Sequence, residues 1–233
     1  EVAVLVASVR ALHHHGGAGK NGLADPDLKA LKKGFANLDK HVENLRKFGL
    51  PVVVAINRFP TDSPAELEAL RCHCEEDLGV AAAVSEVVAH GGEGGLALAE
   101  SVLAHIGRSK FHSLFPLDLP VREKLGMIAR EIYGADGVDY LPAAEAELDK
   151  LARLGYDRLP VCVAKTQSSL SDNPRLRGAP RGWRLTVREV RASLGAGFIV
   201  ALAGDILTMP GLPAEPAAER VQVTPDGQII GVH

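Results

Sequence analysis

The sequence predicts an α/β fold, with a parallel-sheet core portion over residues 1–108 and a smaller α/β C-terminal region over residues 109–233. Two fully apolar runs, VAVLVA at 2–7 and VVVAI at 52–56, are typical of strands that are buried on both faces. A long amphipathic pattern lies between them, as a crossover between parallel strands requires. Beyond a proline-punctuated connector at 111–120, further helical and strand patterns indicate the second region.

The first elements follow directly from these patterns. Residues 2–7 are expected to form a central strand that ends in a polar, glycine-rich loop at 13–22. Residues 27–48 are expected to form an amphipathic helix, because their apolar side chains recur at steps of three and four. Residues 52–56 return as the second strand, and a right-handed crossover is the default for such a unit.

A helix-start pattern introduces the later elements. Ser63 is a suitable N-cap, Pro64 suits the first helical position, and Glu66 completes a capping box. The remaining elements are expected as helices at 64–78, 94–106, 121–133 and 142–154, strands at 81–88, 159–164, 183–191 and 197–203, and a hairpin around Asp226-Gly227.

Composition narrows the classes of partner. A net charge of −3 and a pI near 6.3 argue against nucleic acid and anionic membrane, since both require clustered Lys and Arg. No apolar run approaches the roughly 20 residues of a membrane span, and no leader opens the chain, so a cytoplasmic location is expected. The spacing of the three cysteines suits neither a disulfide framework nor a zinc knuckle, so Cys72, Cys74 and Cys162 are expected to be reduced thiols. Because a strand begins at the first residues and no Met precedes it, we expect residues before Glu1 to be missing.

The first candidate site follows the second strand. In open α/β sheets ligands lie beyond the carboxyl ends of the strands. Asn57 there can donate to and accept from a purine edge, and Phe59 offers a flat apolar face to an aromatic ligand. The alternative is that Asn57 and Asp62 only cap a turn and that Phe59 belongs to the core.

Two further segments carry polar or flexible residues after strands. SEVVAHGGEGG at 85–95 permits close approach of backbone to a ligand, although such glycines are more often structural. Lys165, Thr166, Gln167 and Asp172 offer a cation, a hydroxyl, an amide and a carboxylate on one loop, which suits an anion or ion. The alternative there is an exposed Ser-rich loop, over which the turn TMPGLP at 208–213 could close.

Two patterns look functional without meeting the chemical requirement. GGAGKNG at 16–22 is not a phosphate loop, because the pattern needs Gly at position 14 and Ser or Thr after Lys20, where His14 and Asn21 stand. Three adjacent histidines at 13–15 fit a helical metal site poorly, so no metal ligand is assigned.

Read in order, several motifs resemble the C-terminal part of formate–tetrahydrofolate ligase, a module that also ends the trifunctional C1-tetrahydrofolate synthases. The resemblance covers almost the whole chain, and AKTQ with SLSD and TMPGLP are its most specific parts. The motifs are ASVRAL at 7–12, HGG at 15–17, FGLPVVVAINRFPTD at 48–62, GGEGG at 91–95, EIYGADGV at 131–138, GYDRLPVCVAKTQSSLSDNP at 155–174, the stretch from GAPRGW to TMPGLP at 178–213, and AAERVQV at 217–223.

The resemblance implies a P-loop-NTPase-like core and a two-step reaction. ATP phosphorylates formate to formyl phosphate, which N10 of tetrahydrofolate attacks to give 10-formyltetrahydrofolate, with Mg²⁺ and a monovalent cation assisting. In the family the phosphate loop and the formyl-phosphate-binding cations lie in the N-terminal half, so no catalytic residue is assigned in this chain. The resemblance also implies a homo-oligomer, since the bacterial members are commonly tetramers.

By the same resemblance, Asn57 and Arg58 lie near the nucleotide, and Phe59 and Pro60 lie on one face of the pterin ring. Val88 departs from the family, which usually has a Trp there on the opposite pterin face. Losing that ring is expected to weaken folate binding about tenfold, since stacking is worth roughly 1–3 kcal/mol. Trp183 stands where the family commonly has Phe and is expected to be packing.

Two functions therefore stand against each other. The first is the folate-side part of the ligase, active only with its N-terminal half. The alternative is a catalytically silent folate- or nucleotide-binding module. A GTPase-like domain that selects its base through Asn57 has only topology in its favour, because the phosphate loop is lacking.

Overall fold

The computed structural model describes residues 1–19, 22–204, 206 and 214–231 as a mixed α/β protein. The helices are α1 Val9–Gly16, α2 Leu28–Arg46, α3 Pro64–Cys72, α4 Val87–His90, α5 Leu96–Leu103, α6 Val121–Met127 and α7 Pro142–Arg153. The strands are β1 Ala3–Ala7, β2 Val52–Asn57, β3 Ala81–Ser85, β4 Gly137–Tyr140, β5 Val161–Ala164, β6 Arg184–Ser193, β7 Phe198–Ala203, β8 Gln222–Val223 and β9 Ile229–Ile230. Single π-helical turns extend α3 over His73–Asp77 and α6 over Ile128–Ile132.

The first sheet is parallel and has the order β1-β2-β3. Every residue from Val52 to Ile56 is buried, because β2 is the middle strand. The prediction that β1 is central is wrong within the described residues: β1 lies at the edge of the sheet. Val4 is 42% exposed and Val6 is 66% exposed, so one face of β1 has no cover from the described chain.

A short helix replaces part of the loop expected at 13–22. Ser8 caps α1 by accepting a hydrogen bond from Ala11 N–H at 3.3 Å. Two glycines allow α1 to lie directly against α2. A Cβ on Gly16 would lie 1.8 Å from Ala30 O, and one on Gly34 would lie 2.0 Å from Leu12 O. The helix therefore owes its position to close backbone packing, which the polar, His-rich sequence did not indicate.

The second sheet has the order β4-β6-β7-β5 and mixes directions: β4 is parallel to β6, β5 is parallel to β7, and β6 is antiparallel to β7. Strand β4 was not expected from the sequence. Helices α6 and α7 contribute to a second hydrophobic core beside this sheet. Trp183 is buried in that core, which confirms its expected packing role, and its indole N–H donates to Pro180 O at 3.1 Å.

Helix α2 joins the two sheets. Its apolar face packs in the first core, and a polar face spaced at three and four residues donates to the second part of the chain. Asn37 Nδ2 donates to Gly178 O at 3.0 Å, and Asn44 Nδ2 donates to Ile132 O at 2.8 Å. Lys40 and Lys47 Nζ both donate to Glu131 O, at 2.8 and 2.9 Å. Three side chains of α2 and that of its C-cap residue, Lys47, thus hold the two parts together.

The structure confirms four further predictions: the helix at 27–48, the strand at 52–56, the N-cap at Ser63 and the hairpin around Asp226-Gly227. Only the N-cap half of the predicted capping box forms, because the Glu66 carboxylate accepts from Ser63 Oγ and not from Ser63 N–H. The strand expected over 81–88 ends at Ser85, and Val88 lies in helix α4 instead. Among the described residues, no helix is long and apolar enough to cross a membrane.

Candidate functional site

The carboxyl ends of β2 and β3 meet at one edge of the first sheet. Asn57, the last residue of β2, lies opposite Ser85, the last residue of β3. Arg58 N–H then donates to Ser85 O at 3.1 Å, so the segments that follow β2 and β3 leave the sheet side by side. The residues predicted from strand-end position are therefore gathered at this edge, where ligands of open α/β sheets bind.

A recess of about 190 Å³ opens at these strand ends. Its lining residues are Arg58, Phe59, Pro60, Glu86 and Ala89. Arg58 Nη1 lies 2.8 Å from Glu86 Oε1, and both side chains are more than a third exposed. This ion pair forms one wall of the recess, and its exposure means that a ligand could exchange with either partner at small cost.

The Phe59 ring is held from behind by a residue that sequence reasoning did not single out. The Arg10 guanidinium carbon lies 4.5 Å from the centroid of the Phe59 ring, and Arg10 Nη2 donates to Thr61 Oγ1 at 2.9 Å. Such a cation over a ring face is attractive. Arg10 Nε is buried and has no hydrogen-bond partner among the described residues. The only available sequence signal was the position of Arg10, three residues after the end of β1.

The turn after Phe59 is fixed by Asp62. The Asp62 carboxylate accepts a hydrogen bond from Phe59 N–H at 2.8 Å, and Asp62 N–H donates back to Phe59 O at 3.0 Å. Asp62 therefore caps the turn, as the alternative interpretation of this segment predicted. Phe59 remains half-buried, not a core residue, so its ring can still contribute to the recess.

A buried polar cluster supports this turn from below. Glu66 is 1% exposed and accepts hydrogen bonds from Asp27 N–H at 2.7 Å and from Ser63 Oγ at 2.7 Å. His13 Nε2 lies 2.8 Å from Glu66 Oε1, and His13 Nδ1 lies 3.1 Å from Leu23 O. Burial alone would raise the pKa of Glu66, but the bonds from Ser63, Asp27 and His13 outweigh it and hold that pKa below its usual range. The cluster ties α1, α2 and α3 together beneath the site.

One known protein family matches the chain as a whole. The family model for formate–tetrahydrofolate ligase matches residues 1–233, which is the whole chain. The chain belongs to the formate–tetrahydrofolate ligase family. The family is one of enzymes that join formate to tetrahydrofolate, so ligation in one-carbon metabolism is the activity that membership implies. The resemblance drawn from the sequence motifs is thus confirmed.

Val88, where the resemblance implies a Trp, is exposed. Val88 lies on α4 with 88% of its surface accessible, and its neighbour Ala89 lines the recess instead. The glycines that follow have a local reason: Glu86 N–H donates to Gly94 O at 2.9 Å, and a Cβ on Gly94 would lie 2.5 Å from Glu86 O. Gly94 is therefore required by backbone packing, and Glu93 is exposed.

The loop after β5, the third segment predicted to bind a ligand, folds onto itself. Lys165 Nζ donates to Thr166 O at 3.1 Å and also to Ser169 O. Thr166 Oγ1 accepts from Ser168 N–H at 3.2 Å, and Asp172 Oδ2 accepts from Thr186 N–H at 2.8 Å. Gln167 is exposed. The turn TMPGLP, expected to close over this loop, lies outside the described residues.

Cationic groups gather where this loop meets α1 and α2. Burial lowers the pKa of Lys165 to about 8, although the nearby Asp172 opposes the effect. Burial and the charges of Lys165 and Lys40 lower the pKa of His41. His15 accepts from Gly178 N–H through Nδ1 at 3.3 Å, and burial, with the neighbouring His14, His41 and Arg177, lowers its pKa to about 4. Both shifts favour the neutral form of the imidazole.

Proposed function

We propose that this chain forms the nucleotide- and folate-facing side of an ATP-dependent ligase that produces 10-formyltetrahydrofolate. The observation that carries the proposal is the family match over all 233 residues. Arg58, Phe59 and Pro60 line one strand-end recess, and Asn57 precedes them at the end of β2. This arrangement supports the proposal, since these residue types suit a planar heterocycle.

The proposed reaction has two steps. Formate oxygen attacks the γ-phosphorus of ATP, which breaks the bond to ADP and gives formyl phosphate. N10 of tetrahydrofolate then attacks the formyl carbon, phosphate leaves, and N10 loses its proton. Phosphorylation converts a poor leaving oxygen into a good one, and the protein must hold the reactants together away from water.

In this mechanism the described residues bind and orient. Asn57 would pair with the nucleotide base through its amide, and Arg58 would approach the nucleotide after releasing Glu86. Phe59 would stack on the pterin, with Arg10 fixing the ring from its other face. Pro60 would extend the same apolar wall.

We further propose that the catalytic cations and the phosphate loop belong to an N-terminal half, as the resemblance implies. The parallel sheet β1-β2-β3 would then be part of a larger P-loop-NTPase-like core. The exposed Val4 and Val6 on β1, and Leu96 and Leu103 on α5, form apolar surface that such a half would cover. This chain alone would accordingly be inactive. The division into residues 1–108 and 109–233 is part of the proposal, and two separate hydrophobic cores support it.

The described residues do not fit the two metal ions that the resemblance implies. They contain no cluster of three or more His, Cys, Asp or Glu side chains that could hold Mg²⁺. The carbonyl oxygens of Thr166 and Ser169, which would suit a monovalent cation, accept from the Lys165 ammonium instead. No step of the mechanism above is therefore derived through either ion.

The loop at 165–172 keeps a place in the proposal as an ion-binding element. Lys165 and Asp172 are engaged within the protein, so Gln167, whose amide is exposed, is the residue through which the loop would contact an ion or anion. Replacing Gln167 with Ala should weaken that contact without loss of stability, because Gln167 forms no hydrogen bond in the described part of the chain.

One observation favours a second candidate, a catalytically silent module that binds folate or nucleotide. Val88 is exposed and offers no ring to the pterin. A protein that retains Phe59 but lacks the opposing aromatic residue would bind more weakly and could have lost turnover. Assembly into homotetramers belongs to the ligase proposal through the resemblance, and light scattering of the purified protein tests it. The cytoplasmic location expected from the sequence is kept as part of the same proposal.

The test is a calorimetric titration, in which tetrahydrofolate is added to the parent chain and to Val88→Trp and the heat of binding is measured. The ligase proposal predicts saturable binding that tightens about tenfold in the variant, because one stacking contact is worth roughly 1–3 kcal/mol. Adding an N-terminal half that carries the phosphate loop, with the pattern GxxxxGK[ST], should then give 10-formyltetrahydrofolate from formate and ATP. Binding without any turnover in that mixture would favour the silent module, and no binding by either chain would contradict both.

A further inference from the structure

A second recess, which shares no lining residue with the recess at the strand ends, lies between α2 and the later part of the chain. It has a volume of about 170 Å³. Four cationic side chains line it, and only one acidic side chain does. The lining residues are Lys40, Glu43, Lys47, Arg130, Tyr133, Gly134, Ala179, Pro180 and Arg181. In a chain with a net charge of −3, this recess is a local concentration of positive charge.

The two lysines are already partly neutralised. Lys40 Nζ donates to Glu43 Oε1 and Glu131 O, both at 2.8 Å, which leaves one of its three N–H groups available. Lys47 Nζ lies 2.8 Å from Glu131 Oε2 and 3.0 Å from Glu43 Oε1. These bonds fix the position of both ammonium groups at the base of the recess, and they use the two nearby carboxylates.

The two arginines are different. Arg130 and Arg181 are exposed, and within the described residues neither guanidinium makes a hydrogen bond or an ion pair. Glu131, next to Arg130, is bonded to Lys47. Their ten guanidinium N–H groups therefore have no acceptor among the described residues. The Arg130 guanidinium lies beside Gly126, where a Cβ would be 3.3 Å from Arg130 Nη1, so it also borders the neighbouring recess.

The surrounding groups add further positive potential. Tyr133, which lines the recess, carries the Lys165 ammonium 4.9 Å from its ring centroid. Lys165 and Lys40 are also close enough to His41 to lower its pKa. Positive groups thus flank the recess on the side of the protein interior as well as at its mouth.

We propose that this recess binds a small phosphate-bearing anion. Planar guanidinium groups bind phosphate oxygens in pairs, and an ammonium with a spare N–H adds a point charge. A volume of about 170 Å³ suits one or two phosphate groups, because pockets for larger organic ligands are generally about 300–1,000 Å³. The site is separate from the recess at Phe59, so the inference does not depend on the proposed ligase mechanism.

A bound anion would also link the two parts of the chain. Lys40 belongs to α2, Arg130 to the π-helical turn after α6, and Arg181 to the segment before β6. One anion contacting all three would stabilise the junction that Asn37 and Asn44 already hold.

The protein carries its own reporter for this site. Trp183 is the one Trp of the chain, and its indole N–H donates to the carbonyl oxygen of Pro180, a lining residue. We would titrate the parent chain with inorganic phosphate, pyrophosphate and citrate at constant ionic strength, following Trp fluorescence and the urea midpoint. Phosphate and pyrophosphate distinguish a one-phosphate from a two-phosphate ligand, and citrate tests carboxylates.

The expected result is a saturable change with phosphate or pyrophosphate. Arg130→Gln and Arg181→Gln should each weaken binding about tenfold, and the double variant should lose the ligand-dependent rise in the urea midpoint. Arg153→Gln, an exposed arginine at the end of α7, is the matched control and should bind like the parent. A change that NaCl reproduces, equal binding by the double variant, or tighter binding of citrate than of pyrophosphate would overturn the proposal.

Discussion

Replacing Glu66 with Ala should destabilise the protein more than any other change to a carboxylate of helix α3. Glu66 is 1% exposed, and its carboxylate is the acceptor for Asp27 N–H, Ser63 Oγ and His13 Nε2. His13 is also 1% exposed, so no water can replace the lost acceptor without rearrangement. Breaking one side of a buried pair of this kind costs about 3–5 kcal/mol.

The assay is urea unfolding at pH 7 followed by far-UV circular dichroism. Glu68→Ala is the matched control, because Glu68 lies on the same helix and is paired only at the surface with Arg71. The control should leave the urea midpoint close to that of the parent. A loss of less than about 1 kcal/mol in Glu66→Ala would refute the view that this cluster holds α1, α2 and α3 together.

The same cluster gives a dependence on pH. The pKa of Glu66 is lower in the folded chain than in the unfolded chain. Its contribution to stability is therefore complete above the unfolded pKa of about 4.3 and is lost as the pH falls through the lower folded value. The free energy of unfolding should decline more steeply below pH 4 in the parent than in Glu66→Gln. Parallel declines in the two proteins would contradict this assignment.

Three further predictions concern packing, the junction and the thiols. Gly34→Ala should destabilise by about 1–3 kcal/mol although Ala favours helices, because the new Cβ would lie 2.0 Å from Leu12 O; thermal unfolding measures this. Asn37→Ala should cost about 1–3 kcal/mol in urea unfolding, because Gly178 O loses its buried donor. An aromatic disulfide reagent at pH 8 should label the exposed Cys162 first and Cys74 only on unfolding, since burial raises the pKa of Cys74 to about 12. Labelling of Cys74 in the folded protein at a comparable rate would contradict the burial.

Sequence reasoning succeeded where local chemistry determines structure. The period of apolar residues in α2 and the N-cap at Ser63 of α3 each act within a single helix, so both were visible in the sequence. Helix α1 was missed because its stability comes from contact with α2, through Gly16 and Gly34, which are 18 residues apart. The edge position of β1 was missed because strand order is a property of the whole sheet.

The candidate site divides in the same way. Strand-end position predicted that Asn57, Arg58 and Phe59 would share an edge, and the structure gathers them there. The contact of Arg10 with Phe59 was not predictable, since it depends on how α1 returns over the turn. The basic recess was also invisible, because Lys40, Arg130 and Arg181 come together only when α2 packs against the second part.

The proposed function depends most on the position of Phe59 against the pterin, and one titration tests it. Tetrahydrofolate is added to the parent chain, to Phe59→Ala and to Phe111→Ala, where Phe111 is 65% exposed and lies outside the recess. We expect saturable binding by the parent and the Phe111 variant, and binding about tenfold weaker by Phe59→Ala. Equal affinity of all three proteins, or loss of affinity in the Phe111 variant alone, would contradict it.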